Sequence, residues 1–461
     1  MTSDRDYISR TFAKFIVETT YQDIPSEVIY QCKRSILDFC SVAMAGYRDG
    51  AITKPLINHM FNIGGKGEAT IFGKGSKIPC SNAALSNAAM GHALDLDDGH
   101  RYAHSHIGVV VIPASIAVAE LTNASVEELL TAIVLGYDIF ARIGHATNPS
   151  QSFRGFHPSG VCGPFGSVAA ASKLLKLNEE ETINALGIAG TQGSGFLEVI
   201  RDGQMIKPLQ PARAAQGGIL AARLAEMGVK GPEKILEGDK GFLGATADEI
   251  NFTVLKNKLG KKYEILNSYT KLYPSCRHTH AAIDLVLSMR KKRNLKPEDI
   301  KSILVKTYKI GISETGKIYE PETPQAALFS MPYTLALSLS EGKVDLSQFT
   351  ENKIKDRSIL DLAKKVRTEL DSTFESVYPE SRGAEVIITL KDGSTLKERK
   401  NLAKGEPEDP ATDIELKEKF IQCTNGVFPI SRVEQIIETI FNIESLSNIS
   451  ELVTLLIVDK I

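Results

Sequence analysis

Four of the chain's nine histidines (His92, His100, His104 and His106) and three aspartates (Asp95, Asp97 and Asp98) crowd into the stretch GHALDLDDGHRYAHSHIG at 91–108. Residues of these types do two kinds of chemistry: they ligate metals, or they move protons near neutral pH. For a metal, His100 and His104 stand four apart, and His104 and His106 form an HxH. Gly99 and the polar run after it favour a loop over a helix, however, and the HExxH order is absent, so no metal site is predicted. Proton chemistry asks for a donor or acceptor titrating near neutrality, and cations for the negative charge that develops. If NAAMGHALDLDD continues as one helix, His92 and Asp95 share a face, as do Asp95 and Asp98. One carboxylate then orients a histidine or has its own pKa raised. Asp97 and Asp98 read as solvated charges at a helix end, whereas Asp95, flanked by Leu94 and Leu96, reads as the point where the chain enters the core.

Three further stretches carry groups that such chemistry on an anion would use. GFHPSGVCGPFG sets His157 ahead of a Gly/Ser-rich turn and an Ala-rich helix, whose N-terminal amides can hold a carboxylate. A capped helix start with a surface histidine accounts for it equally well. RDGQMIKPLQPARAAQGG puts Lys207 and Arg213 around two prolines, a stiff loop that points cations at one place, with Arg213 suited to bidentate carboxylate binding. Ordinary surface solubility is the alternative. YPSCRHTHAAID gathers Ser275, Arg277, His278 and His280 at a change of texture along the chain. His278 and His280 share a face if that segment is extended and diverge if it is helical. Cys276, beside Arg277 and His278, is a minor candidate for an activated thiol. The glycine-rich stretches GGKGEATIFGKGSK and GTQGSGFLE match neither phosphate-binding spacing, so no nucleotide site is supported.

These groups need elements to hold them. From Ile8 to about Leu266 the pattern is helical, with Gly and Pro punctuation. Ser125 and Glu128 form a capping box ahead of LLTAIVLGYDIFARI. After YPSCRHTHAAID come IKSILVKTYKI and AEVIITLKDGSTLKERK, the latter a β-hairpin turning at Asp392-Gly393. The expected fold is therefore mainly α: a large helical domain from 1–268 and 405–461, and a smaller α+β domain over 269–404. At 461 residues the chain is long enough for both. A net charge of −2 without basic runs argues against nucleic acid. Six scattered cysteines without a CxxC pair fit a reducing cytoplasm. No stretch reaches about 18 consecutive apolar residues, so no membrane span is predicted.

Taken in order, SILDFCSVAMAG, NAAMGHALDLDDGH with SHIG, GFHPSGVCGPFGSVAAASKLL, DGQMIKPLQPARAAQGGILAA, YPSCRHTHAAID and PETPQAALFSMPY resemble the MmgE/PrpD superfamily. That family includes 2-methylcitrate dehydratases, cis-aconitate decarboxylases and iminodisuccinate epimerases. The likeness runs nearly end to end. It implies a helical domain with an α+β lid and a homodimer. It carries the family's active-site aspartate onto Asp95, its loop histidine onto His106, the GFHP histidine onto His157, and the basic-loop lysine onto Lys207. It also carries the histidine ending the YP motif onto His280 and a lid tyrosine onto Tyr333. The chain departs from the family pattern at Gly99, where threonine is common, at Ile107 after His106, where proline is common, and at Gln210, where many relatives have histidine. The Asn-Asp-Thr-Trp loop of 2-methylcitrate dehydratases is absent.

The combined expectation is a cofactor-independent enzyme acting on a small di- or tricarboxylate. Lys207, Arg213 and Arg277, with Ser275 and Tyr333, hold the substrate, and Asp95, His106, His157, Lys207 and His280 move protons. Dehydration is the first expectation. Epimerisation of an amino- or imino-dicarboxylate and decarboxylation of the cis-aconitate kind are the alternatives, and a noncatalytic carboxylate-binding protein is the reading from another class.

Overall fold

The computed structural model describes residues 7–201 and 203–458. Two buried apolar cores organise them. The first draws on residues from Ile8 to Ile265 and again from Ala411 to Leu456, and the second on residues from Cys276 to Ala403.

The first core is built from helices, among them Ser26–Asp49, Cys80–His92, Gly108–Thr122, Val126–Thr147, Gly163–Leu174 and Leu209–Glu226. Their contact faces are rich in Ala and Gly, which lets backbones approach closely. At Gly46 a Cβ would stand 2.0 Å from the Met90 carbonyl oxygen, so only glycine lets Ser26–Asp49 cross the helix that ends at His92. The Ser125 capping box forms as expected, with reciprocal bonds to Glu128 of 2.9 and 3.2 Å. The helix it opens, Val126–Thr147, is by length and composition apolar enough to cross a membrane, and its side chains are nearly all buried within the core. The C-terminal helices Asp413–Thr424 and Ile430–Phe441 return to this core through Phe420, Val433, Ile436 and Ile440. Each such fully buried side chain contributes about 1.5–3 kcal/mol. Lys419 secures the return from inside, reaching Asp38 and the Leu96 carbonyl.

The second core packs helices His280–Arg293 and Met331–Glu341 on a four-stranded sheet. The strand order is Val366–Leu370, Ile300–Thr307, Ala384–Leu390, Thr395–Lys400, with the first pair parallel and the rest antiparallel. The last two strands are the expected hairpin. Gly393 takes a φ of +88° in its turn, and Asp392 accepts from the Ser394 amide, the local bonding that aspartate favours in turns.

The two cores meet along the crowded stretch. Gly99–His100 pairs antiparallel with Ser268–Tyr269, which ties the histidine loop to the chain entering the second core.

Candidate active site

The helix Cys80–His92 stops at His92 instead of running through the aspartates. Three residues on, Asp95 adopts φ +50°, a left-handed conformation that Asp tolerates better than most residues at a cost of about 1 kcal/mol. Two lysines hold it there. Lys207 Nζ lies 2.5 Å from Asp95 Oδ1, and Lys271 Nζ lies 2.8 Å from Oδ2 and 2.7 Å from the Asp95 carbonyl oxygen. Burial pushes the Asp95 carboxyl up, but the lysines override it and hold the group well below the usual carboxylate range. His92 and Asp95 thus do not share a helical face; they meet through Lys207, which also donates to His92 Nε2 at 2.8 Å.

That contact settles a tautomer. An ammonium has no lone pair, so His92 Nε2 accepts and the ring proton lies on Nδ1, 2.9 Å from Asp97 Oδ2. Burial pushes His92 down to about 4, so it is neutral at pH 7. Asp97 serves a second histidine: His106 Nδ1 lies 2.9 Å from Asp97 Oδ2 and 2.9 Å from the Asp98 carbonyl oxygen. Burial opposes ionisation of Asp97, but His106 and His92 together hold its carboxyl well below the ordinary value. With Nδ1 committed, His106 faces the adjoining cavity with Nε2 unpartnered among the described residues. Asp98 turns the other way. It accepts from the Gly108 amide at 3.0 Å and the Tyr137 hydroxyl at 2.7 Å, and burial and Asp38 push it up to about 7. The expectation that Asp97 and Asp98 are solvated is corrected: they are 1% and 6% exposed, because partners distant in the chain close over them.

His157 caps the helix Pro158–Val161 and lines the same cavity. Its Nδ1 lies 2.6 Å from Gln210 Oε1, while Gln210 Nε2 donates to the Phe196 carbonyl at 3.1 Å. The second bond fixes which way the amide faces, so His157 donates from Nδ1 and keeps an unprotonated Nε2. Burial and then Lys207 push the His157 pKa well below the usual histidine value. Gln210 therefore sets this tautomer.

From the side of the second core come Arg277, Arg382, His278, Glu314, Cys276 and Phe329, and His104 and Tyr269 also line the cavity. Arg277 donates to Glu406 Oε1 from Nε (3.1 Å) and Nη2 (3.0 Å) and to His280 Nδ1 from Nη1 (3.0 Å). Lys207, Lys271, Arg277 and Arg382 stand around one small cavity against Asp95 and Glu314, so its lining carries more positive than negative groups and can attract an anion. Among the described residues two sets of donors lie close enough to share an ion: His92, Asp97 and His106, and Cys276, His278 and Glu314. In the first, His92 Nδ1 already donates to Asp97 and His106 Nδ1 to the Asp98 carbonyl, so an ion there would compete with those bonds. In the second, burial pushes the Cys276 thiol up to about 12, which corrects the expectation that Arg277 and His278 activate it.

Asp95, His106, His157, Lys207 and Arg277 thus line one cavity, while four other candidates do not. Arg213 is exposed on Leu209–Glu226 and bonds to Gln216, because helix geometry turns it away from Lys207. Ser275 is buried, its hydroxyl 2.8 Å from that of Thr279. His280 is wholly buried between Arg277 and the Ser275 carbonyl, with Nε2 donating to the latter at 3.2 Å, so it orients Arg277 from behind. It diverges from His278, since residues 277–279 form a 3-10 turn leading into a helix. Tyr333 is buried in the second core, its hydroxyl donating to the Gln348 carbonyl at 3.1 Å. Three participants were not singled out in the sequence: the lysine-bonded role of His92, Lys271 and Arg382. Lys271 stands two residues before the YP motif, a signal that could have found it. Arg382 has none nearby.

A protein-family model described as MmgE/PrpD N-terminal domain matches residues 10–254, and one described as MmgE/PrpD C-terminal domain matches residues 273–444. The chain is 25% identical over 473 residues to a cis-aconitate decarboxylase-like protein oryM of Aspergillus oryzae, covering 97% of each chain. It is 28% identical to a cis-aconitate decarboxylase of Aspergillus terreus, covering 94% of this chain and 92% of the relative. Similarity to a mitochondrial 2-methylcitrate dehydratase of Yarrowia lipolytica is 25% over 289 residues, 59% of this chain and 54% of the relative.

Proposed function

The chain belongs to the MmgE/PrpD family, and from that premise we propose that it is a lyase releasing carbon dioxide from a small unsaturated tricarboxylate of the cis-aconitate kind. The observation that carries the lyase reading is the meeting of two cavity-lining histidines, His106 and His157, whose Nδ1 atoms are engaged and whose Nε2 atoms have no partner among the described residues, with four buried cations. Such a site can bind a polyanion and move one proton while the cations hold the charge that develops. The choice of decarboxylation is supported by the relatives that align along nearly their whole length, which are named as decarboxylases or decarboxylase-like. This reverses the order of expectation from sequence, where dehydration stood first.

The chemistry balances simply. A carboxylate on a carbon next to the alkene leaves as carbon dioxide, and the electron pair of the broken C–C bond shifts the double bond and passes toward a second carboxylate. Lys207 and Lys271 stabilise that aci-carboxylate. A protonated histidine, His157 or His106, then delivers one proton to the receiving carbon and recovers it from solvent. An anionic substrate makes this feasible, because it offsets the Lys207 charge that suppresses protonation of His157.

The second reading is dehydration of a hydroxy-tricarboxylate, favoured by the partial likeness to 2-methylcitrate dehydratase. Purified protein assayed on cis-aconitate, citrate and 2-methylcitrate, with carbon dioxide trapped and alkene absorbance followed, separates the two. Carbon dioxide release from cis-aconitate supports the proposal. A new alkene absorbance from either hydroxy acid, without carbon dioxide, replaces it.

A further inference from the structure

Among the described residues the deeply buried cations have carboxylate partners, with one exception. Lys207 and Lys271 pair with Asp95, Arg142 with Asp138, Arg277 with Glu406, Arg101 with Glu408 and Lys419 with Asp38. Arg382 is 6% exposed and lines the cavity, yet no carboxylate of the described residues lies within ion-pairing distance. Its Nη2 donates to the Arg101 carbonyl at 2.7 Å, its Nε is buried without an acceptor, and no acceptor among the described residues stands at Nη1. An arginine keeps its proton whatever its surroundings, and a buried guanidinium without an anion is strongly disfavoured. Its aromatic neighbour compensates only in part: the Tyr269 ring lies 5.6 Å from Arg382 and 4.7 Å from Arg277.

The placement of that ring depends on the departure at Gly99. A Cβ there would stand 2.3 Å from Tyr269 Oη and 2.5 Å from its Cζ. A bare backbone at 99 therefore admits Tyr269 against the two arginines, where a threonine would displace it.

We propose that Arg382 is the seat of a substrate carboxylate separate from those met by Lys207 and Lys271, so that the ligand is a polycarboxylate whose further arm completes the ion pair the free protein lacks. The inference rests on the cavity being the lyase site and adds a specificity residue to it. A guanidinium fork meets a carboxylate through two parallel bonds, and because Nη2 of Arg382 gives one of its two protons to the Arg101 carbonyl, its other proton forms one edge of such a fork with the free Nε or the free Nη1.

The test is calorimetric titration with propane-1,2,3-tricarboxylate, which has no alkene to react, and with pentanedioate, which lacks one arm. Both are compared on wild type, Arg382→Gln and Arg382→Lys, with melting temperatures of the ligand-free proteins. Arg382→Gln is expected to weaken tricarboxylate binding about 30- to 100-fold, the loss typical of removing one partner of a buried charge pair, and to leave pentanedioate within about threefold. Arg382→Lys, which keeps the charge and loses the fork, falls between. Ligand-free Arg382→Gln melts no lower than wild type, since an unpaired buried charge is gone. The proposal is overturned if wild type does not bind the tricarboxylate, if Arg382→Gln binds it equally well, or if both ligands weaken in parallel with a lowered melting temperature. Tricarboxylate binding that depends on Arg382, with no carbon dioxide from any unsaturated tricarboxylate, would sink the decarboxylase reading and leave the subsite standing.

Discussion

Lys207 Nζ lies 2.8 Å from His92 Nε2, and this one contact orders the charges of the whole site. Because the ammonium only donates, His92 is held neutral between the Asp97 carboxylate and Lys207, and Lys207 in turn reaches Asp95, which Lys271 grips from the other side. Carboxylate and ammonium alternate through a buried chain, and His92 positions Lys207 without lining the cavity.

Replacing that acceptor should misplace the lysine. His92→Phe is expected to lower kcat about 10²-fold while changing KM little, and His92→Gln, whose amide oxygen can accept from Lys207, to recover part of the loss. Steady-state kinetics of the two variants check this. Equal losses in both, or a loss confined to KM, would refute the positioning role.

Asp97 supports two imidazoles at once. Asp97→Asn removes the carboxylate that stands 2.9 Å from His106 Nδ1 and orients that ring. A fall in kcat of about 10²- to 10⁴-fold is expected, the usual range for disabling a general acid or base, with near-normal binding of an unreactive tricarboxylate by calorimetry.

Ligand binding should draw in a proton. Burial and Lys207 keep His157 unprotonated in the free protein, and a bound polyanion offsets that lysine. Calorimetry of propane-1,2,3-tricarboxylate in buffers of different ionisation enthalpy at pH 7 should show net proton uptake, reduced in His157→Gln. Zero uptake in wild type would contradict the assignment of His157 as proton donor.

Asp98 makes stability depend on pH. Its carboxyl is pushed up to about 7 in the folded protein against an ordinary 3.8, so between those values the native state holds a proton that the unfolded chain has released. Stability from this group is therefore lost as pH rises from about 4 to 7, by at most about 1.4 kcal/mol per pH unit. Asp98→Asn keeps an acceptor for the Gly108 amide and removes the titration. Its melting temperature relative to wild type should rise from pH 5 to pH 8; a constant difference would contradict the shift.

Gly99 and Tyr269 should behave as one unit. Gly99→Thr alone drives a side chain into the tyrosine ring and is expected to raise KM about tenfold or more. Adding Tyr269→Ser should restore much of it, a non-additivity typical of residues in contact. Additive losses would show that the two do not compete for the same space.

The crowd at 91–108 was legible as acid/base chemistry because its residue types and density are local properties, as were the capping box at Ser125 and the hairpin at Asp392-Gly393. What escaped were relationships made by packing. Asp97 and Asp98 look like solvated charges until His106 and Tyr137 close over them, the latter 39 residues away. Arg213 looks equivalent to Lys207 until the helix Leu209–Glu226 turns it outward. Arg382 carries no local signal because the groups that set its surroundings apart, the Arg101 carbonyl and the Tyr269 ring, reach it only when the two cores meet.

The most direct test of the central claim is turnover of cis-aconitate in deuterium oxide, with carbon dioxide quantified and the product read by NMR. The account predicts one carbon dioxide and one solvent-derived deuterium per product molecule, with both lost in Lys207→Ala and His157→Ala. Hydration of the alkene, or deuterium exchange into recovered substrate without carbon dioxide, would contradict it.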